Sequence, residues 1–293
     1  MIYNVVHITT YKYDAPVASA TCVMRLTPRE DGGQSVISRS LEFSPQAESI
    51  EERRDFFGNT VCEKRILKPH TSLGIVLRAS VKVERPAPPA FALTPAWETI
   101  ADGASASNTL DARSPAHFIY PSRFAPLHAG ATAYARESFP PRRPVLEGAA
   151  DFMRRIQADF VYDTKATQVA TPLDQAFTRK SGVCQDFAHI MIAGLRGLGL
   201  PAAYVSGYLR TIPAPGQTRL EGADSTHAWV SLWCGPEFGW LDLDPTNAMM
   251  VEDDHIVIAI GRDYADVSPV DGVLLGAGKQ KLDVSVDVQA VGA

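Results

Sequence analysis

Apolar and polar positions alternate with a period of two through most of the first 85 residues, the signature of half-buried strands. Residues 2–13, 20–27, 35–43, 49–55, 60–67 and 73–83 follow it and are rich in β-branched and aromatic side chains. Asp31-Gly32-Gly33, Gly58-Asn59 and Pro69 separate these runs, and Phe57-Gly58-Asn59-Thr60 predicts a hairpin between two of them. The expectation is an N-terminal β-sandwich-like or barrel-like domain over residues 1–85. No catalytic constellation is visible in it, and His7, His70 and the Arg53-Arg54 pair read as strand-packing or solvated residues.

Residues 86–150 predict a linker and a helical segment. The Pro- and Ala-rich stretch 86–95 favours an extended chain, and the small polar residues 102–108 read as loop. Leu146, Ala149, Phe152, Met153 and Ile156 recur at helical spacing after the boundary set by Pro140-Pro141. Residues 160–162 are short and extended, and 172–177 predict another short helix.

The period changes again at 181–200, SGVCQDFAHIMIAGLRGLGL. Phe187, Ile190, Met191, Leu195 and Leu198 recur every three or four residues, which predicts a helix with one buried face. Gly182 permits a sharp entry, and Gly197, Gly199 and Pro201 end the helix. Runs 202–209, 226–233 and 239–244 then alternate as strands, separated by Pro213, Pro215, Gly216, Gly235 and Pro236. The chain therefore reads as α+β, with a core over 151–250 and C-terminal strands in 251–293, at 255–260 and 282–288, that can return to the β-domain.

The chemistry concentrates in that core. Cys184 falls in the first turn of the predicted helix, where unpaired N–H groups and the helix dipole favour thiolate over thiol. In HAWVSLW, His227, Trp229 and Ser231 share one strand face; in WLDLD, Trp240, Asp242 and Asp244 share one. If the two strands are neighbours, His227 meets a carboxylate across the ladder. Nucleophile, base and orienting acid then occur in the order Cys, His, Asp, the set needed for acyl transfer through a thioester. The backbone N–H of Cys184 is a natural oxyanion donor, with Tyr162 and Gln168 as candidates for a second. Gln185 is a candidate substrate contact or helix-start cap. Trp229, Trp233 and Trp240 read as core or cleft wall, and His189, off the cysteine's side of the helix, as a buried structural residue.

Composition narrows the class. The 293 residues are 45% hydrophobic and 21% charged with a net charge of −5, as in a globular protein, and no basic run argues for nucleic acid or an anionic membrane. The first residues have no basic or apolar leader pattern and no apolar run reaches membrane-span length, so the cytoplasm is the expected compartment. Cys22, Cys62, Cys184 and Cys234 form no CxxC or CxxH pair, so free thiols are expected rather than a structural zinc site. Glu252-Asp253-Asp254 reads as a solvated turn, and no metal or cofactor is expected.

GVCQDFAH, the apolar helix ending LGLPA, then YVSGYL, THAW, GWLDLDPTN and HIVIAIGRDYADVSPVDGV resemble the transglutaminase-like superfamily, specifically its bacterial transglutaminase-like cysteine peptidase branch. The resemblance covers the motif-bearing part from about 155 to 250 and extends to a β-rich N-terminal region. It implies a papain/transglutaminase-like core with a Cys-bearing helix on an antiparallel sheet. It assigns Cys184 as nucleophile, His227 as base and Asp244, in its Asp-Pro-Thr context, as orienting acid, with Asp242 as the competing carboxylate. No tryptophan between residues 130 and 184 matches the upstream oxyanion donor of many animal transglutaminases, which favours hydrolysis over crosslinking. The expected activity is that of a peptidase or amidase on a peptide or protein substrate. A glutamine gamma-glutamyltransferase and a non-catalytic binding module on the same fold are the alternatives. The N-terminal domain is expected to shape or cover the cleft.

Overall fold

The structure, a computed structural model, describes residues 1–30, 32–46, 49–211, 225–276 and 278–291. The alternating N-terminal runs form six strands: β1 Ile2–Val17, β2 Ser19–Met24, β3 Gln34–Ser44, β4 Ser49–Arg54, β5 Thr60–Ile66 and β6 His70–Val83. They pair antiparallel in two four-stranded sheets, each completed by a strand from the far end of the chain. One sheet has the order β15-β1-β6-β3 and the other β14-β2-β5-β4, where β14 is Val270–Leu275 and β15 is Gln280–Val291. Side chains from both sheets, among them Met24, Ile66, Ile75 and Val81, contribute to one buried cluster. Edge strand β4 is exposed throughout, and its Glu51, Glu52, Arg53 and Arg54 discourage a further strand from pairing there.

Lys64 is an exception inside this sandwich. It is 2% exposed, its Nζ sits 3.1 Å from the Phe43 ring centroid, and no carboxylate pairs with it among the described residues. Burial pulls its pKa down to about 8. Because that value lies below the unfolded one, the cost of the buried ammonium is fully present below pH ~8 and disappears toward pH ~10.5. Lys64→Met is therefore expected to gain about 1–2 kcal/mol and about 2–6 °C in Tm at pH 7, with the gain vanishing near pH 10.5. Thermal melts of parent and variant at the two pH values check this; a variant less stable at pH 7 contradicts it.

Along the chain between β6 and the Cys184 helix come helices α1 Trp97–Ser105, α2 Ala129–Arg136, α3 Val145–Asp159 and α4 Leu173–Arg179, and the two-residue parallel pair β7 Val161–Tyr162 with β8 Ser181–Gly182. The stretch 102–108 is thus not all loop. Helix α1 extends to Ser105 because Ile100 and Ala104, four residues apart, face the core while its other positions are too small and polar to show the period.

The central element is α5 Cys184–Gly197, buried along almost its whole length. It packs on β9 Ala202–Leu209 and β10 Ser225–Trp233 of a five-stranded antiparallel sheet. The order is β12-β11-β10-β9-β13, with β11 Trp240–Asp244, β12 Met249–Met250 and β13 His255–Gly261; the short helix α6 Tyr264–Val267 follows. The fold is α+β, with a β-rich N-terminal region and a core in which a Cys-bearing helix packs on an antiparallel sheet. The predicted turn residues Pro213, Pro215 and Gly216 lie outside the described residues.

The two predicted C-terminal strands part company. Strand β15 returns to the sandwich and pairs with β1 from Ile2↔Val291 to Tyr13↔Gln280, whereas β13 joins the core sheet beside β9. The outer edge of β13 is covered by side-chain amides of the N-terminal region. Gln34 accepts from the Val257 N–H at 2.8 Å and donates to the Val257 carbonyl at 2.9 Å. Asn59 does the same at Ile260, at 2.8 Å in both directions. These two buried amides imitate a neighbouring strand and satisfy an edge that would otherwise be buried unpaired. Residues 252–254 form the expected turn, with Glu252 exposed, but its aspartates also bind the N-terminal region: Asp254 accepts from Tyr3 Oη and Arg210 Nε, and Asp253 from the Arg85 N–H.

Candidate active site

The start of α5 is fixed by its own third residue. Asp186 accepts the N–H of Val183, just before the helix, at 2.9 Å and the Thr167 hydroxyl at 2.5 Å. The carboxylate fits because residue 182 is glycine; a Cβ there would lie 2.5 Å from Asp186 Oδ2. Burial raises the Asp186 pKa, while these two hydrogen bonds oppose the rise. The result is a rigid first turn that presents the half-buried Cys184.

His227 is brought to the thiol by β10. It is 7% exposed, and Cys184 is near enough to raise its pKa. Its Nε2 lies 2.8 Å from Asp244 Oδ2. The register Val230↔Leu243 and Ser231↔Asp242 puts Asp244 one step beyond β11's last paired residue, diagonal to His227. Burial disfavours the His227 imidazolium, but the bonds to Asp244 and Cys184 outweigh it and hold the pKa up at about 10. Asp244 is fully buried; burial alone would raise its pKa, but His227, His255 and Asn247 hold it well below the usual carboxylate range. The Asp244 carboxylate is also fixed by its own turn. Oδ1 accepts the N–H of Thr246 at 2.9 Å and of Asn247 at 3.3 Å, and Oδ2 accepts Asn247 Nδ2 at 2.6 Å.

The structure does not bring Asp242 to His227. Asp242 faces Ser231 in the ladder, and its Oδ2 accepts the Trp229 indole N–H at 3.1 Å. Trp229 is fully buried with that N–H occupied, so it forms the floor under His227 rather than a substrate contact. Tyr162 pairs with Gly182 in the β7–β8 bridge and is half exposed; burial and then the neighbouring Cys184 raise its pKa. The Gln185 side chain donates to the Val169 carbonyl at 3.2 Å and ties α5 to the preceding loop, whereas the Gln168 N–H donates to Thr171 Oγ1 within that loop. His189 accepts the Tyr264 N–H at 3.3 Å and stacks on Phe124, and burial pulls its pKa down to about 4.

His255 was not singled out by the sequence. It is fully buried at the start of β13, with Nε2 3.3 Å from Asp244 Oδ2. A histidine ending an acidic run carries no signal of its own; only the sheet order places β13 behind Asp244. Donor atoms of His227, Asp244 and His255 lie within 4.8 Å of one another, close enough to be considered for a metal. However, tetrahedral ligands about 2.0–2.1 Å from zinc stand roughly 3.3 Å apart, and the 2.8 Å His227–Asp244 separation is a hydrogen-bond length. With Asn247 also donating to Oδ2, hydrogen bonding accounts for the cluster.

The remaining thiols differ from Cys184. Cys22, Cys62 and Cys234 are buried, and burial raises the pKa of each. A cavity of about 710 Å³ lined by Arg25, Phe56, His117, Tyr120 and Arg262 does not include Cys184. Among the described residues no helix is long and apolar enough to cross a membrane.

Two family models match this chain: the bacterial transglutaminase-like N-terminal region over residues 3–82 and the transglutaminase-like superfamily over residues 132–245. The chain belongs to the transglutaminase-like superfamily. An uncharacterized protein of Mycobacterium tuberculosis is similar to this transglutaminase-like chain, 37% identical over 298 residues that cover 98% of this chain and 92% of its own. A protein-glutamine gamma-glutamyltransferase of Pseudomonas aeruginosa is 39% identical over 107 residues, 36% of this chain and 16% of that one. In fold, a crystal structure of a candidate cysteine protease from Cytophaga hutchinsonii matches with a TM-score of 0.78 at 20% identity, covering 100% of this chain and 91% of that one.

Proposed function

We propose that this transglutaminase-like protein is a cysteine-dependent acyl-transfer enzyme that hydrolyses peptide or isopeptide bonds through a thioester at Cys184. The observation that carries the reading is His227, hydrogen-bonded to Asp244 on one side and partnered with Cys184 on the other, with a pKa held up at about 10. An imidazole of that basicity takes the thiol proton, leaving a thiolate beside an imidazolium. The thiolate attacks the carbonyl carbon, and the Cys184 N–H, with Tyr162 Oη as the second donor, receives the developing oxyanion. His227 then protonates the departing amine, forming the thioester. It next takes a proton from water as that water attacks, and collapse of the adduct expels the sulfur as thiolate, releasing the acid and restoring the thiolate–imidazolium pair. Asp244 holds the ring's tautomer and charge throughout.

Transfer to an amine instead of water is the second reading, favoured by the likeness of part of the chain to the Pseudomonas gamma-glutamyltransferase. Both readings share the thioester and differ in which acceptor reaches it. The experiment is incubation of parent and Cys184→Ala with a library of glutamine- and lysine-containing peptides, with and without a primary amine, followed by mass spectrometry. Acid products that need Cys184 support hydrolysis, and amine adducts support transfer. Neither product under any condition, with Cys184→Ala binding the same peptides as the parent, would leave a binding module.

A further inference from the structure

The Asp244 carboxylate serves two buried histidines, and the second one joins the core to the N-terminal domain. His255 Nε2 approaches the same Oδ2 atom that accepts from His227, while its Nδ1 is buried with no hydrogen-bond partner. The ring is wedged against Trp229, with centroids 5.3 Å apart, and lies 6.2 Å from the His227 ring. Its backbone is held from outside the core: Arg85 Nη2 donates to the His255 carbonyl at 3.0 Å, and Gln34 and Asn59 clamp the same strand at Val257 and Ile260. The charged and titratable groups around it are Asp244 and His227 in front, with Arg85, Asp253 and Asp254 at the start of the strand.

We propose that His255 is a positioning residue for the acyl-transfer site, which donates from Nε2 to Asp244 and so fixes the carboxylate oxygen that orients His227. An ionised Asp244 is an acceptor only, so a bond at this oxygen requires the proton on His255 Nε2 and leaves Nδ1 as the bare, unpartnered nitrogen. Asn247 holds the carboxylate from its own turn, and His255 holds it from the neighbouring strand. Without the second support the Oδ2 atom that orients His227 is held by Asn247 alone, and His227 loses part of its fixed line toward Cys184. The N-terminal domain thereby takes part in the site without reaching it: its Gln34, Asn59 and Arg85 set where β13, and hence His255, lies.

The proposal rests on the acyl-transfer reading and is tested apart from it. Carboxamidomethylation of Cys184 is followed by mass mapping in the parent, His227→Ala, His255→Leu and His255→Gln, with melting curves of each. His255→Leu is expected to slow the reaction about tenfold, and His255→Gln, whose amide restores an N–H donor, to recover most of that loss. A His255→Leu rate equal to the parent's, while His227→Ala is slow, overturns the positioning role and leaves the acyl-transfer reading standing. A parent Cys184 that reacts like an ordinary thiol overturns both. Should the variants fail to fold, histidine ring nitrogen resonances of the unmodified protein decide. A proton on Nε2 of His255 is expected, and a proton on Nδ1 with a bare Nε2 rules the bond out.

Discussion

Iodoacetamide at pH 6 is expected to modify Cys184 about 10 to 100 times faster in the parent than in His227→Ala, and faster than any other cysteine of the parent. An ordinary thiol with a pKa of about 8.5 is less than about 1% ionised at that pH. His227, with a pKa held up at about 10, stays protonated through the neutral range and places a positive charge beside Cys184. Cys22, Cys62 and Cys234 serve as internal references: they are buried and burial raises their pKa values, so they react slowly in both proteins. Peptide mass mapping over time gives all four rates at once. Equal Cys184 rates in the two proteins would mean that His227 does not activate the thiol.

Asp244→Asn is expected to lower turnover about 10³- to 10⁴-fold and stability at pH 6 by about 2–4 kcal/mol. The amide nearly matches the carboxylate in shape but carries no charge, so burial is left to pull His227 down and its ring loses the fixed tautomer. The pH dependence has a definite sign. His227 is more basic folded than unfolded, so its contribution is complete below pH ~6.5 and fades as the pH rises through about 10. Asp244 is more acidic folded than unfolded, so its contribution fades below pH ~4. The stability difference between parent and variant should therefore be widest between about pH 4 and 6.5 and shrink toward pH 10. Urea unfolding at pH 6 and at pH 10 measures it; a difference that grows between those values would exclude the pair as its origin.

The sequence carried the local elements and lost the long-range ones. Period-two alternation located the six N-terminal strands to within a few residues, even the fully exposed edge strand β4, and period 3.6 located α5, although that helix is buried on every side from Asp186 to Arg196. Alternation also put His227 on a strand beside two acidic candidates but left Asp242 and Asp244 level, since residues two apart share a face. The ladder register separates them: Asp242 lies opposite Ser231 and bonds Trp229, while Asp244 ends its strand diagonal to His227. The destination of β13 was equally hidden, because strand order is set by partners hundreds of residues apart, as where Gln34 meets Val257. His255 stayed unnoticed for the same reason, and residues 102–105 read as loop because small side chains write no period.

The sandwich is assembled from both ends of the described chain, with the core threaded between β6 and β14. On the ribosome, β1 and β2 emerge early but lack the neighbours they find in β15 and β14 until the residues around 270–291 have been made. The core segment, with Cys184, emerges in the interval, while the surface that clamps β13 belongs to a half-built domain. A nascent chain that has not yet reached β14 and β15 thus has its core residues before it has a finished frame to hold them, and these two strands act as the fastening that completes the sandwich.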